Sequence, residues 1–198
     1  MNRTVSVLLL VAIVTIVGLG LARERQSNQA STSQTTEFKP DARDVAMLNR
    51  MLGSYQAELT VNPAGGDAVS ASGTCIMESL NDPELQGARG TISLKMSSGY
   101  PYHEYDLLGF HGGDHRLHML SITCEPVAHD HVFTVKDQDS FSFVWRGIQD
   151  GKPATEEVNG RWISADELRL NGINTVNGKQ VATSVFDLKR VNQAMQSK

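Results

Sequence analysis

The stretch SFSFVWRG, residues 140–147, places a large apolar side chain at every second position. Phe141, Phe143 and Trp145 alternate with Ser142, Val144 and Arg146. Successive side chains of a β-strand point to opposite faces of its sheet. This period of two therefore predicts a strand with one buried face and one face in water.

The same period continues through most of the chain from Ser54 onward. It is clear in SYQAELTV at 54–61, TISLKM at 91–96 and LRLNG at 168–172. Glycine, proline, asparagine and aspartate residues separate the runs, as turns between strands require. We predict about ten strands, near residues 54–61, 69–79, 89–97, 102–110, 115–124, 130–136, 140–148, 155–163, 167–174 and 180–190.

Consecutive strands joined by short links predict an antiparallel meander. Closing the meander into a barrel removes the exposed sheet edges, so closure suits a chain of this size. The predicted fold is all-β, with about ten strands in one closed barrel. A barrel of this kind can hold one small ligand inside.

A short helix is predicted before the first strand, in PDARDVAMLNRMLG at 40–53. Asp41 can cap its N-terminus, and Gly53 stands where a C-terminal glycine commonly ends a helix. An apolar stripe at helical spacing runs through Val45, Leu48, Met51 and Leu52. We expect this helix to cap one end of the barrel.

The N-terminal segment predicts export. Arg3 precedes an uncharged apolar run, Val5–Ala22, which is typical of a signal peptide or an N-terminal membrane anchor at 1–22. Small residues at Gly20 and Ala22 fit a cleavage site, whereas the length of the run favours an uncleaved anchor. The barrel would then be periplasmic or extracellular, and tethered to the membrane through residues 5–22 if they are retained.

Three further segments complete the predicted organisation. Residues 23–41 are rich in serine, threonine and glutamine and predict a disordered polar linker. Residues 42–191 form the barrel, and residues 192–198 a flexible tail. The net charge of −4 provides no basic stripe, which argues against a nucleic-acid partner.

The chain has two cysteines, Cys75 and Cys124, and their spacing fits no zinc motif. In an oxidising compartment the two can form a disulfide. The alternative is that they remain two separate thiols.

Several motifs together resemble a family of uncharacterised bacterial lipocalin-like barrels of the calycin type. They are LNRMLGSY at 48–55, SGTCIMESL at 72–80, LLGFHGGDHRLHMLSIT at 107–123 and FDLKR at 186–190. Leu52–Tyr55 is similar to the family's Leu-x-Gly-x-Trp opening, with tyrosine in place of tryptophan. The resemblance covers residues 42–191 and implies a lipocalin-like barrel, but fold alone does not decide function. Related barrels include haem proteins with a ligating histidine near the C-terminus, whereas this chain has no histidine after His131.

All six histidines lie between His103 and His131. With a two-residue loop at Gly112–Gly113 and a four-residue loop at 125–128, one face carries His103, His118, His129 and His131 together with Tyr105. The opposite face carries Glu104, Asp106 and Ser121 and is more polar, so we predict that the histidine face points inward. A one-residue slip in either loop would reverse the faces.

The inward histidines predict a metal or haem site on His103, His118, His129 and His131. The alternative is that the histidines cluster by chance and form hydrogen bonds only with other groups of the protein. His111 and His115 flank the glycine turn and are expected to be solvated.

No motif assigns a catalytic residue. There is no Gly-x-Ser-x-Gly elbow, and Glu156 and Glu157 should point to opposite faces of their strand. The leading hypothesis is a barrel that binds a small apolar or amphipathic molecule, with Tyr105, Phe143, Trp145 and Trp162 as wall residues. The alternative for Trp145 and Trp162 is that they belong to the hydrophobic core and line no pocket. The alternative functions are a metal- or haem-binding protein and a non-catalytic envelope interaction module.

Overall fold

The computed structural model describes residues 39–80, 86–124 and 128–191. These residues form one helix and ten strands. The elements are α1 (Ala42–Met51), β1 (Gly53–Pro63), β2 (Val69–Ser79), β3 (Gly87–Met96), β4 (Pro101–Phe110), β5 (Leu117–Thr123), β6 (Ala128–Val135), β7 (Ser140–Gln149), β8 (Lys152–Trp162), β9 (Glu167–Val176) and β10 (Lys179–Arg190).

The ten strands form one closed antiparallel barrel in which each strand pairs with its neighbours in sequence. Strands β1 and β10 close it, in a register that runs from Tyr55 opposite Arg190 to Pro63 opposite Ala182. The predicted all-β meander closed into a ten-strand barrel is confirmed. Closure gives every strand a neighbour on both sides, although β6 and β7 pair only from Val132 opposite Val144 to Val135 opposite Phe141.

Helix α1 packs over one end of the barrel, as predicted. The Asp41 side chain caps it by accepting a hydrogen bond from the Arg43 backbone N–H at 2.8 Å. Its buried face consists of Met47, Leu48 and Met51. The predicted glycine cap is wrong: Leu52 is already extended, and Gly53, with φ of +144°, begins β1.

Two arginines hold α1 against the barrel. Arg190, at the end of β10, donates to the Leu52 carbonyl at 2.5 Å and to the Arg50 carbonyl at 2.9 Å. Arg50 donates to the Gln138 carbonyl at 2.6 Å, and its guanidinium lies 4.5 Å from the ring centre of Trp162. The last carbonyls of a helix have no partner within the helix, and Arg190 supplies one.

The half of the barrel next to α1 is filled by apolar side chains. Phe133, Phe141 and Phe143 are buried, and ring centres of neighbouring pairs lie 4.9 to 6.3 Å apart. Leu108 and Leu117 are fully buried beside them. This packing is the hydrophobic core that the alternating sequence predicts.

The inward face of β4 and β5 is the reverse of the prediction. Asp106, Leu108, Leu117, Met119 and Ser121 are buried, whereas Tyr105, Leu107, Leu120 and Ile122 are exposed. Because the prediction assumed that the more polar face meets water, it chose the wrong side of these two strands.

The register between β5 and β6 explains why β6 nevertheless faces as predicted. The prediction paired Ile122 with His131, but the structure pairs Ile122 with Ala128. A shift of three residues exchanges the faces of one strand relative to the other. His129 and His131 therefore point inward, although His103 and His118 do not.

Several predictions lie wholly or partly outside the described residues. The signal peptide or anchor at 1–22, the linker before Lys39 and the tail at 192–198 belong to this group. Helix α1, with ten residues, is too short to cross a bilayer, and the described chain offers no longer apolar helix. Cys75 is a buried free thiol and Cys124 an exposed one, so the structure has the alternative of two separate thiols and not the disulfide.

Candidate functional site

The barrel interior changes character in the half that lies away from α1, which we call the far half. Its inward side chains come from four strands and are largely polar: Tyr102, Glu104, Asp106, Ser121, His129, His131 and Glu156, with Trp145 beside them. Asp106, Ser121 and His131 are buried there. Burying such groups costs free energy unless they find partners.

Two carboxylates on β4 form the first part of the far half. Asp106 accepts a hydrogen bond from the Ser121 hydroxyl at 2.6 Å, and Glu104 accepts one from the Tyr102 hydroxyl at 2.5 Å. Burial raises the pKa of Asp106 to about 8, with the nearby charge of Glu104 adding to the rise. Asp106 is therefore mostly protonated at neutral pH.

His129, His131 and Glu156 form the second part. Oε2 of Glu156 lies 3.1 Å from Nε2 of His131 and 3.7 Å from Nδ1 of His129. The two histidines share the inward face of β6 because they are two residues apart. Glu156 reaches the same place from β8, with β7 between them.

The charge of Glu156 is stabilised by this arrangement. Burial raises the pKa of its carboxyl, but the interactions with the imidazoles of His129 and His131 outweigh burial and lower the pKa to about 2. His131 is only 3% exposed, and its Nδ1 is buried with no hydrogen-bond partner. Glu156 and His129 keep 26% and 22% of their side-chain surface in contact with solvent.

Aromatic rings fix both imidazoles. The His129 ring stacks on Trp145, with centres 4.0 Å apart, and the edge of the His131 ring meets Phe143 at 5.2 Å. Gly147 makes room for this stack, because a Cβ there would lie 2.2 Å from the Trp145 ring. The far half thus combines rigid aromatic walls with hydrogen-bonding groups.

A second group of histidines lies on the outer surface. Asp114 approaches Nδ1 of His111 at 3.2 Å and Nε2 of His118 at 3.0 Å, and Asp130 lies 2.9 Å from Nδ1 of His118. Burial lowers the pKa of His118, but these two carboxylates outweigh it and raise the pKa above its usual value. Hydrogen bonding to His118 lowers the pKa of Asp114 to about 2.

The predicted metal residues are therefore divided between two faces. His129 and His131 point into the barrel, and His118 lies outside with Asp114 and Asp130. His103 is also outside, with its Nδ1 3.3 Å from the Ser93 hydroxyl. The inward prediction for His103 and His118 is wrong, so the four histidines do not converge.

The predicted wall residues are likewise divided. Trp145 lines the far half, and Phe143, of the apolar half, borders it through its contact with His131. Trp162 is buried at the α1 end under Arg50, and its indole Nε1 has no hydrogen-bond partner. Tyr105 is 60% exposed on the outer surface, so its predicted inward direction is wrong.

Sequence reasoning missed the carboxylates of the site. Glu156 was correctly expected to face away from Glu157, but which of the two pointed inward was left open. The position of Glu156 opposite Trp145 indicates its direction, because Trp145 belongs to the apolar face of β7 and directly paired residues share a face. Asp106 and Glu104 gave no such signal, because polarity placed them on the wrong face.

Two surface concavities lie away from these groups. One is bounded by the β6–β7 loop, Asp137–Ser140, and by Arg161, and the other by residues of β1, β9 and β10 that include Arg169. Their charged side chains are exposed or half-buried, and Arg169 is paired with Asp187 at 2.6 Å. The buried polar groups of the far half distinguish it as the candidate site.

Comparison with one solved structure supports the fold, and a second solved structure is less similar. The S-type phycobiliprotein lyase CPES from Guillardia theta superposes over 78% of this chain and 99% of its own, with 12% identity and a TM-score of 0.52. A redesigned β-barrel, mFAP1, bound to DFHBI, covers 74% of this chain and 99% of its own, with 13% identity and a TM-score of 0.39.

No protein-family model matches the chain, and no curated protein matches it. The barrel that the resemblance implies is confirmed by the structure. Membership of the bacterial lipocalin-like family remains a prediction.

Proposed function

We propose that this protein binds a small amphipathic molecule in the far half of its barrel. The observation that carries the proposal is the change from an apolar interior beside α1 to a polar one beyond it. A barrel built only for stability gains nothing from buried Asp106, Ser121 and His131, because aliphatic side chains in their place would need no partners. Ligand sites characteristically combine apolar walls with a few placed polar groups.

The geometry indicates how such a molecule would lie. Phe143 and Trp145 offer aromatic surface to its apolar part. Asp106, mostly protonated, and the His129–Glu156 pair offer a hydrogen-bond donor and acceptors to its polar part. The partial exposure of His129 and Glu156 marks the side from which the molecule would enter.

The first test is native mass spectrometry of the full-length chain, to detect a co-purified organic molecule. The second uses the neutral fluorescent probe N-phenyl-1-naphthylamine. We expect probe fluorescence to rise on binding and Trp145→Ala to weaken the binding. Leu120→Ser, on the outer surface, is the matched control and should leave it unchanged. Equal binding by wild type and Trp145→Ala, together with loss in Leu120→Ser, would place the probe outside the barrel and overturn the proposal.

We further propose that the protein acts outside the cytoplasm. The support is the uncharged run Val5–Ala22 after Arg3. Cell fractionation and N-terminal sequencing test this. Recovery in the periplasm or medium with a new N-terminus near residue 23 indicates cleavage, recovery in the membrane with Met1 retained indicates an anchor, and recovery in the cytoplasm contradicts export.

A second candidate function is an interaction module that uses the outer surface. One observation favours it: Tyr105 pairs with Ile122 and Leu107 with Leu120, and these four exposed side chains form one apolar patch. Patches of this kind commonly mark contact surfaces. If the patch joins two copies of this chain, sedimentation should show a dimer that Leu120→Glu converts to a monomer. A wild-type monomer would remove self-association from consideration.

A further inference from the structure

We propose that His129, His131 and Glu156 bind a first-row divalent transition-metal ion of the Zn²⁺ class inside the barrel. The inference goes beyond the small-molecule proposal, because an ion needs only these three side chains. It differs from the histidine site that the sequence predicted, since one carboxylate replaces two outward histidines.

The spacing of the three side chains suits one ion. Ligand atoms bound at about 2.1 Å in tetrahedral geometry lie about 3.4 Å apart. The observed separations, 3.1 Å from Glu156 Oε2 to His131 Nε2 and 3.7 Å to His129 Nδ1, lie on either side of that value. One potential ligand atom from each of the three residues lies within 4.8 Å of the other two.

The site is also held in place before any ion arrives. Trp145 stacks on His129, and Phe143 contacts His131 edge-on. All three candidate ligands stand on strands of a closed barrel rather than on loops. Sites whose ligands are locked by packing keep their geometry without paying to order side chains on binding.

The buried imidazole of His131 is poorly satisfied by the protein alone. It is 3% exposed, its Nε2 has one partner, Glu156, and its Nδ1 has none. Buried polar atoms without a partner are uncommon in proteins and call for an explanation. An ion bound to Nε2 would replace the single hydrogen bond of this ring with a stronger interaction, while Nδ1 keeps no partner among the described residues.

The donor set selects the class of ion. Two imidazole nitrogens and one carboxylate oxygen suit Zn²⁺, Fe²⁺ or Co²⁺, whereas Mg²⁺ and Ca²⁺ prefer oxygen ligands alone. Three protein ligands also leave a coordination position for water or a small ligand.

The outer group His111, Asp114 and His118 offers a similar donor set and must be separated in any test. The parent protein for the experiment is therefore the full-length His111→Ala/His118→Ala variant. After treatment with a chelator, it is titrated with Zn²⁺ alone by calorimetry and with Co²⁺ alone by visible absorption. We expect one equivalent of ion and the absorption bands of Co²⁺ bound to nitrogen and oxygen.

Glu156→Gln, made in this parent, removes the carboxylate charge and preserves its shape. It should weaken Zn²⁺ binding by more than the roughly 10- to 100-fold that loss of a hydrogen-bond partner of a ligand costs a metal site, and abolish the Co²⁺ bands. Glu157→Gln, on the outer face of the same strand, is the matched control and should change neither. His129→Asn supplies a second site variant, and circular dichroism without metal confirms that each variant is folded.

Two results would overturn the inference. One is a parent that binds no ion, and the other is binding that Glu156→Gln and His129→Asn leave unchanged. Probe binding by the metal-free parent tests the small-molecule proposal separately, so either proposal can fail while the other stands.

Discussion

At the scale of single residues, Asp106 departs strongly from the ordinary behaviour of an aspartate. Its carboxyl is buried, accepts a hydrogen bond from Ser121 and lies near the charge of Glu104. The pKa is raised from 3.8 to about 8, so the folded barrel retains a proton that the unfolded chain releases. The contribution of Asp106 to the free energy of unfolding therefore decreases as the pH rises from about 4 to about 8.

Asp106→Asn should remove this pH dependence. The slope that Asp106 contributes is at most about 1.4 kcal/mol per pH unit, and asparagine has no proton to lose. Urea unfolding at several values between pH 5 and pH 8 measures it, and the variant should gain stability relative to wild type as the pH rises. Asp67→Asn, on the exposed β1–β2 turn, controls for the change of charge. Stability curves that stay parallel for wild type and Asp106→Asn would show that Asp106 is ionised in the barrel.

The same residue shows where prediction from sequence fails. Apolar alternation decides which face is buried when one face is clearly polar, as in Phe141–Trp145. On β4 and β5 the outer face carries Tyr105, Leu107 and Leu120, and the inner face carries Asp106 and Ser121. The prediction depends on the rule that the apolar face of a strand is buried. A binding site that buries polar groups breaks this rule, so the strands that carry the site are the ones whose faces are predicted wrongly.

At the scale of elements, the junction between α1 and β1 depends on Gly53. Its φ of +144° is a conformation that residues with a side chain rarely adopt. A Cβ there would also lie 2.3 Å from Nη1 of Arg190, the arginine that binds the last carbonyls of α1. The glycine is therefore required both by its backbone and by the close approach of Arg190.

Gly53→Ala and Gly99→Ala separate these two requirements. Gly99 has φ of +87° and open space around it. Its alanine variant should therefore lose only the free energy of the unfavourable backbone conformation, about 1–2 kcal/mol. Gly53→Ala should cost more, because it also displaces Arg190. Chemical unfolding of both variants measures the difference. Equal losses would mean that Arg190 moves aside freely.

Helix α1 is expected to be part of the core rather than a loose cover. Leu48 is 3% exposed, so Leu48→Ala should lower the free energy of unfolding by about 2–5 kcal/mol. Asn49→Ala, on the exposed face of the same helix, should stay within about 0.5 kcal/mol of wild type. Thermal unfolding by circular dichroism measures both. A small effect of Leu48→Ala would indicate that the barrel is stable without α1.

Elements were predicted better than faces, for a physical reason. Period-two runs and turn residues are local, so ten strands and α1 could be placed to within a few residues from sequence alone. The pairing of Ile122 with Ala128 depends instead on the conformation of a short turn. A local pattern does not determine that register, and the inward or outward direction of every following side chain depends on it.

At the scale of the whole molecule, closure makes the barrel a single cooperative unit. Cys75 on β2 lies between Tyr55 on β1 and Ile92 on β3, so exposing it requires the separation of paired strands. Burial, together with the charges of Asp106 and Glu104, raises the pKa of its thiol to about 12. The thiol is thus both inaccessible and protonated in the folded state, whereas Cys124 is exposed.

Alkylation of Cys75 should therefore report global unfolding. In a Cys124→Ser variant kept reduced, we expect iodoacetamide to modify Cys75 only through the open state, at a rate that rises with urea. The free energy of opening from these rates, followed by mass spectrometry, should equal that from equilibrium unfolding, because a closed barrel has no edge strand that can detach alone. A rate insensitive to urea would instead show that β2 opens locally, and that the closed barrel does not unfold as one unit.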